Sequence, residues 1–142
     1  MFSAKIVYVR YLGIDFGSKR IGVAYSDENG DFALPLCVLS NSDSVVSEVV
    51  RLAREKEVIA IVVGESKNYE GKDNLIMKDT NVFVEELKRV SGLPLYFEPE
   101  FMTSAHAEKT QGKHDLLDAS AAALILQSFL DKKRNGGLAQ SV

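Results

Sequence analysis

Hydrophobic residues in the N-terminal third cluster in short runs that predict three strands. Residues 11–16 and 20–26 are rich in aliphatic and aromatic residues, and residues 17–19, Gly-Ser-Lys, predict a hairpin turn between them. A third run over 32–39 predicts another strand. Because Pro35 has no N–H to donate, this strand should lie at a sheet edge or be broken there.

The rest of the chain alternates between helical and strand-like spacing of apolar residues. The predicted elements, in order, are helix 45–53, strand 58–64, helix 75–90, strand 93–98 and helix 114–133. Ser42 or Asp43 can cap the first of these helices. The β-branched run 58–64 is typical of a strand buried on both faces, as in a parallel sheet.

This order of elements predicts the fold class. Hairpins join antiparallel strands, whereas helical crossovers join parallel ones. We therefore expect an α/β fold with a mixed five-stranded sheet, three antiparallel strands and then parallel ones, flanked by helices. A chain of 142 residues allows one domain, which we assign to 11–134, with an N-terminal extension over 1–10 and a flexible C-terminal tail over 135–142.

Composition narrows the function classes. One cysteine and two histidines provide neither a disulfide framework nor a zinc cluster. No apolar run approaches the roughly 20 residues of a membrane span, and the N-terminus lacks a secretory signal, so we expect a cytoplasmic protein without a membrane partner. The net charge of −3 argues against tight non-specific nucleic-acid binding, but it allows a local basic rim.

A lone carboxylate, Asp15, lies inside an apolar strand. A buried acid is costly unless it is paired or binds a cation. Asp15 could cap the turn at Gly17 through backbone amides, or it could be a metal ligand.

Other acids occur at two places that could converge with it. Asp115 and Asp118 lie three residues apart near the start of the last helix, so they share a face. Acids also favour a first helical turn for electrostatic reasons, which explains Asp115 equally well. Glu98 and Glu100 point to one face of an extended chain, and they could equally be solvated acids of a loop.

Carboxylates at the carboxyl ends of strands suit Mg²⁺ or Mn²⁺, which prefer oxygen ligands. Two such ions would activate a water and stabilise the leaving oxygen of a phosphodiester. The candidate catalytic residues are Asp15, Glu98, Glu100 and Asp118. The candidate metal ligands are Asp15, Glu98, Asp115 and Asp118.

Several segments together resemble the signatures of one family. They are 12–27 (LGIDFGSKRIGVAYSD), 33–36 (ALPL), 61–64 (IVVG), Asn68 with Gly71, and 118–130 (DASAAALILQSFL). In these segments the chain resembles the YqgF/RuvX family. The resemblance implies an RNase H-like fold, with Asp15 and Asp118 as the first and last metal ligands. It implies a nuclease that processes the 5′ end of precursor 16S rRNA, or by an older assignment a Holliday-junction resolvase.

Two departures from the family pattern affect the site. The fifth strand of the family usually ends in Asp-Glu-Arg, where this chain has Glu98-Pro99-Glu100. The loop after Gly64 has Glu65-Ser66 in place of Leu-Pro. The identity of the second metal ligand is therefore open between Glu98 and Glu100.

Candidate substrate contacts lie in loops and at helix ends, where cations could position phosphates. They are Lys19, Arg20, Lys67, Asn68, Thr103, Lys113 and His114. Ordinary solubilising charge explains any one of the cations equally well. The expected partners are nucleic acid, either rRNA precursor or branched DNA, and ribosomal particles, with the chain acting as a monomer or a homodimer.

Two other function classes fit parts of the sequence. Residues 13–17, Gly-Ile-Asp-Phe-Gly, before a hairpin also resemble the first phosphate loop of actin-like ATPases and sugar kinases. Those proteins need two such domains, which this length does not supply. The altered fifth strand motivates the other class, a catalytically weakened nucleic-acid-binding protein of ribosome maturation.

Overall fold

The computed structural model describes residues 8–67, 76–101, 114–136 and 140–141. In these ranges the apolar pattern of the sequence forms nine helices and strands. They are β1 (Tyr11–Phe16), β2 (Arg20–Ser26), β3 (Ala33–Ser40), α1 (Val45–Glu55), β4 (Ala60–Lys67), α2 (Ile76–Ser91), β5 (Leu95–Phe101), α3 (His114–Arg134) and β6 (Gln140–Ser141). None of the helices in these ranges is both long and apolar enough to cross a membrane.

The strands form one mixed sheet in the order β3-β2-β1-β4-β5-β6. Strands β1, β2 and β3 pair antiparallel, whereas β1, β4 and β5 pair parallel. This confirms the predicted fold class and adds a sixth strand, because β6 pairs with Tyr96 and Phe97 of β5. Gln140 and Ser141 belong to the segment 135–142 that the sequence predicts to be a flexible tail, and their backbone pairing continues the sheet.

Strand β3 is an edge strand, as Pro35 predicted. The register passes from Cys37 opposite Val23 to Pro35 opposite Ala24, so Leu36 is an extra residue in β3. Such a bulge bends a strand and interrupts its ladder. The residue without an N–H thus lies where the pairing is irregular.

Helix α1 begins later than its predicted caps. Ser44 precedes the first helical residue, and its side chain makes no capping hydrogen bond. The N–H of Val45 donates to the carbonyl of Ser42 at 3.1 Å, so a backbone turn precedes the helix. The prediction of Ser42 or Asp43 as the cap is wrong because this turn moves the helix start along the chain.

The sheet separates two cores. Leu12, Ile14 and Val63 pack against α1 and α2 on one face, whereas Tyr11 and Val62 pack against α3 on the other. Alternate residues of one strand therefore belong to different layers. Position 15 in β1, two residues after Gly13, consequently faces α3.

Small residues bring α3 close to the sheet. A β-carbon built on Gly13 would lie 2.7 Å from Cβ of Leu126 and 3.1 Å from the carbonyl oxygen of Ala122. Ala119 and Ala122 of α3 are buried in the same seam. The close approach holds the start of α3 over the carboxyl end of β1.

Candidate active site

Asp15 lies between two strands that carry glycine beside it. Gly22 of β2 is its antiparallel partner. On the other side Ile14 pairs with Val63, so Gly64 follows next along β4. The backbone on both sides is bare of side chains, which leaves room above Asp15 for residues from α3 and β5.

Helix α3 positions Asp118 in the space above Asp15. A β-carbon built on Gly22 would lie only 2.0 Å from the carbonyl oxygen of Asp118, so the helix backbone rests directly on β2. The Asp118 carboxylate accepts a hydrogen bond at Oδ2 from Nε of Arg20, at 3.0 Å. Arg20 belongs to β2, two residues before Gly22, and faces the same side of the sheet.

Glu100 approaches from β5. Its Oε2 lies 3.2 Å from the position that a β-carbon on Gly64 would occupy. The negative charges of both Glu100 and Asp118 act on Asp15. Three carboxylates from β1, β5 and α3 therefore converge at one end of the sheet; we call Asp15, Glu100 and Asp118 the carboxylate cluster.

The electrostatics of Asp15 differ from those of a turn cap. Burial, followed by the charges of Glu100 and Asp118, raises the pKa of Asp15 to about 8. Asp27 shows the opposite behaviour, since N–H donors of Phe32 and Asp31 lower the pKa of its carboxyl. Asp15 is destabilised as an anion, which a bound cation would relieve.

Glu98 lies apart from the carboxylate cluster. It is buried, and its Oε2 accepts hydrogen bonds from Oγ of Ser128 at 2.7 Å and from Nζ of Lys132 at 2.6 Å. Ser128 is ten residues beyond Asp118 on α3, about 15 Å along the helix axis. Glu98 shares a face with Glu100, as alternation predicted, but the structure ties it to the far end of α3 and not to Asp15. The prediction that Glu98 is a metal ligand is not supported by this placement.

Helix α3 crosses the strands obliquely, and this explains the separation. Its contacts pass from Gly22 at Asp118 to Gly64 at Ile125 and to Glu98 at Ser128. The two glutamates of β5 therefore meet different neighbours. Sequence reasoning missed the hydrogen bonds of Ser128 and Lys132, because no periodicity reports where a helix crosses a strand.

The predicted substrate-binding residues lie in different parts of the structure. Lys19 is exposed in the β1–β2 turn. Arg20 is engaged with Asp118, so the structure gives it a carboxylate partner that the sequence did not indicate. His114 and Asp115 lie in the first turn of α3, and Lys67 ends β4. The predictions for Asn68, Thr103 and Lys113 lie outside the described residues, as do those for the side chains of His114, Asp115 and Lys67.

The donor set of the carboxylate cluster suits a hard cation. All the candidate ligands are carboxylate oxygens, the type that Mg²⁺ and Mn²⁺ prefer. Within the ranges that the structure describes, no three His, Cys, Asp or Glu side chains already stand together at metal-binding spacing. The cluster would therefore close around an ion through side-chain movement, from positions that the backbone already fixes.

Solved structures first identify the fold. Thermus thermophilus RuvC in complex with a Holliday junction substrate matches with a TM-score of 0.64 and 16% identity, over 94% of this chain and 99% of that chain. A second structure of Thermus thermophilus RuvC matches with a TM-score of 0.59 and 17% identity, over the same shares. The chain thus has the RuvC-type, RNase H-like fold.

The sequence then identifies the family. The family model described as RuvX, Holliday junction resolvase, matches residues 9–132, and the chain belongs to the RuvX family. A relative from Nitratidesulfovibrio vulgaris (strain Miyazaki F) is 38% identical, over 87% of this chain and 94% of its own. A relative from Sulfurihydrogenibium sp. is 35% identical, over 87% and 90%. Both carry the provisional name pre-16S rRNA nuclease.

The family match confirms the resemblance drawn from the sequence motifs. It covers the hairpin signature and the closing helix together. The alternative interpretation as half of an actin-like ATPase has no support from it.

Proposed function

We propose that the chain is a nuclease that hydrolyses phosphodiester bonds in precursor 16S rRNA with the help of Mg²⁺ or Mn²⁺. The convergence of Asp15, Glu100 and Asp118 at one end of the sheet carries this proposal. The names of relatives that align over nearly their whole length support the choice of substrate. The partner would be nucleic acid within assembling ribosomal particles.

The three residues of the carboxylate cluster would have different roles in holding the ions. Asp15 would provide the central oxygens, because it lies between Glu100 and Asp118 and is destabilised as a bare anion. Glu100 replaces Glu98 as the β5 contributor in this assignment. The bound ions would supply an activated water and charge for the leaving oxygen. We propose that two ions bind in this arrangement.

The remaining residues fix the geometry. Gly22 and Gly64 leave the space in which the carboxylates meet, and the seam of α3 sets the height of Asp118. Lys19, exposed beside this end of the sheet, would attract substrate phosphates. The altered fifth-strand motif does not by itself indicate a weakened protein, because Glu100 restores an acid next to Asp15.

The test compares cleavage of three substrates with Mg²⁺ or Mn²⁺: precursor 16S rRNA, unstructured RNA and a four-way DNA junction. Wild type should cleave precursor rRNA, and Asp15→Asn should lose at least about 100-fold, a barrier increase of about 2.7 kcal/mol. Glu86→Gln is the matched control, since Glu86 is paired with Arg89 on the exposed side of α2. Equal activity of wild type and Asp15→Asn on all three substrates would refute the nuclease proposal.

Junction resolution is the second candidate, and the description of the family model favours it. Two symmetric cuts in a four-way junction need two sites, so this activity would require a homodimer. Cleavage of the junction together with a dimeric mass in solution would select this candidate over rRNA processing. Retained RNA binding without any cleavage would instead select the weakened nucleic-acid-binding protein.

A further inference from the structure

Arg20 and Asp118 form an ion pair inside the proposed active site. Nε of Arg20 lies 3.0 Å from Oδ2 of Asp118, although 98 residues separate them in the sequence. The guanidinium is therefore placed on one member of the carboxylate cluster.

The backbones of both partners are fixed relative to each other. Arg20 starts strand β2, whose pairing with β3 places it opposite Ser40. Asp118 is held because its carbonyl group rests against Gly22 on the same strand. The ion pair is thus preformed by the fold, and it can open only through rotation of side chains.

The pair is also accessible and weak. The Arg20 side chain is 37% exposed and that of Asp118 is 22% exposed. Ion pairs with this much solvent contact contribute little free energy, because water screens both charges. A divalent cation held by several carboxylates carries twice the charge of a guanidinium, so it would compete successfully for Asp118.

We propose that Arg20 is the resident counter-ion of Asp118 in the ion-free site, and that cation binding at Asp118 releases its guanidinium to a substrate phosphate. The planar guanidinium matches a phosphate as well as it matches a carboxylate. Arg20 is then a positioning residue before the ion binds and a substrate-binding residue afterwards. This inference rests on the proposed function, because it assumes that a divalent cation occupies the carboxylate cluster.

The first test measures Mn²⁺ affinity by titration calorimetry for wild type, Arg20→Gln and Lys19→Gln. Removing Arg20 removes the competitor, so Arg20→Gln should bind Mn²⁺ about three- to tenfold more tightly. Lys19→Gln is the matched control: it deletes the neighbouring positive charge in the β1–β2 turn but leaves the ion pair, and its Mn²⁺ affinity should stay near that of wild type. Equal or weaker binding by Arg20→Gln would overturn the proposal.

The second test separates release from simple structural support. At saturating Mn²⁺, Arg20→Gln should raise the KM for the RNA substrate about tenfold, while its Mn²⁺ affinity rises. A merely structural role would weaken both. In NMR spectra, the Nε–H resonance of Arg20, assigned by its loss in Arg20→Gln, should shift as Mg²⁺ saturates the site. An unchanged resonance at saturation would also overturn the proposal.

The outcomes distinguish this inference from the proposed function. If wild type binds no Mn²⁺, or binds it as Asp15→Asn does, the metal site itself is wrong and both fail. If wild type binds Mn²⁺ and Asp15→Asn does not, the site stands. The Mn²⁺ affinity of Arg20→Gln then tests separately whether cation binding releases Arg20 from Asp118.

Discussion

The α-carbon of Gly22 touches the backbone of Asp118, with no space for a β-carbon between them. A β-carbon there would lie 2.0 Å from the carbonyl oxygen and 2.6 Å from the carbonyl carbon of Asp118. Backbone atoms cannot rotate away as the end of a side chain can. The position of a proposed catalytic carboxylate is therefore set by a residue that has no side chain.

Gly22→Ala should push α3 off the sheet. We expect a loss of about 2–3 kcal/mol in the free energy of unfolding, as is usual for overpacking against a rigid neighbour. Nuclease activity should fall more than the unfolded fraction explains, because Asp118 moves with the helix. Urea denaturation and activity measured on the folded fraction check this.

Gly92→Ala is the control for that substitution. Gly92 has φ of 68°, and nothing lies within 4 Å of a β-carbon built on it. The cost should be only the backbone strain of about 1–2 kcal/mol, with normal activity. If Gly22→Ala is as active as Gly92→Ala, Asp118 is not positioned by this contact.

Substitutions of Glu98 and Glu100 should affect different properties, stability for Glu98 and activity for Glu100. Glu100→Gln removes a charge beside Asp15, so kcat should fall about 100-fold with little loss of stability. Glu98→Gln removes the anion that Lys132 contacts, so it should cost about 1–3 kcal/mol of stability and leave kcat within about threefold. Single-turnover cleavage and urea denaturation of both variants give the comparison. The reverse pattern would return Glu98 to the metal site.

The pH dependence of stability should reveal Asp15 when chelator keeps the protein free of ions. The pKa of Asp15 is about 8 in the folded chain, above its ordinary 3.8. The folded state therefore favours the protonated acid: the contribution of Asp15 is complete below about pH 4 and is lost as the pH rises to 8. Asp15→Asn avoids this loss, so its Tm should exceed that of wild type at pH 8, by roughly 3–5 °C per kcal/mol.

Asp131→Asn serves as the control in the same pH series. Hydrogen bonds from Gln127 and Arg134 lower the pKa of Asp131, so this variant should gain no stability as the pH rises. A Tm difference between Asp15→Asn and wild type that stays constant from pH 5 to 8 would show that Asp15 is not destabilised as an anion.

Divalent cations should stabilise the folded chain. At a free Mg²⁺ concentration 100 times the Kd, the expected gain is about 2.7 kcal/mol, and chelator should reverse it. The gain should be greatest near pH 8, where the ion-free Asp15 is least stable. Thermal unfolding of Asp15→Asn and Glu100→Gln should show much less of this gain. An identical Mg²⁺ response in all three proteins would place the ion elsewhere.

Local signals in the sequence predicted most of the fold because they depend on neighbours along the chain. The hairpin at Gly17 and the edge position of Pro35 follow from backbone chemistry alone. Strand β6 could not be predicted, since two residues show no periodicity and pair only because β5 offers a free edge. The same holds for Ser42, where a backbone turn replaced the expected cap.

The type of site could be predicted from the sequence, but not every residue that belongs to it. Asp15 and Asp118 stand out because acids are unusual in an apolar strand and in a seam of alanines. Alternation could only say that Glu98 and Glu100 share a face. The choice between them depends on the angle at which α3 crosses the sheet, which brings Lys132 to one and leaves the other near Gly64.

The irregular edge at β3 bears on how two copies of the chain could associate. An exposed edge strand invites a second sheet to continue its ladder, and proline or a bulge discourages this. Pro35 and the extra residue Leu36 interrupt β3 at mid-length, while β6 at the opposite edge spans only two residues. Sheet-to-sheet growth, whether into an ordered dimer or an amyloid-like aggregate, is therefore disfavoured at the β3 margin. A dimer that resolves junctions would not be expected to form by pairing of two β3 strands.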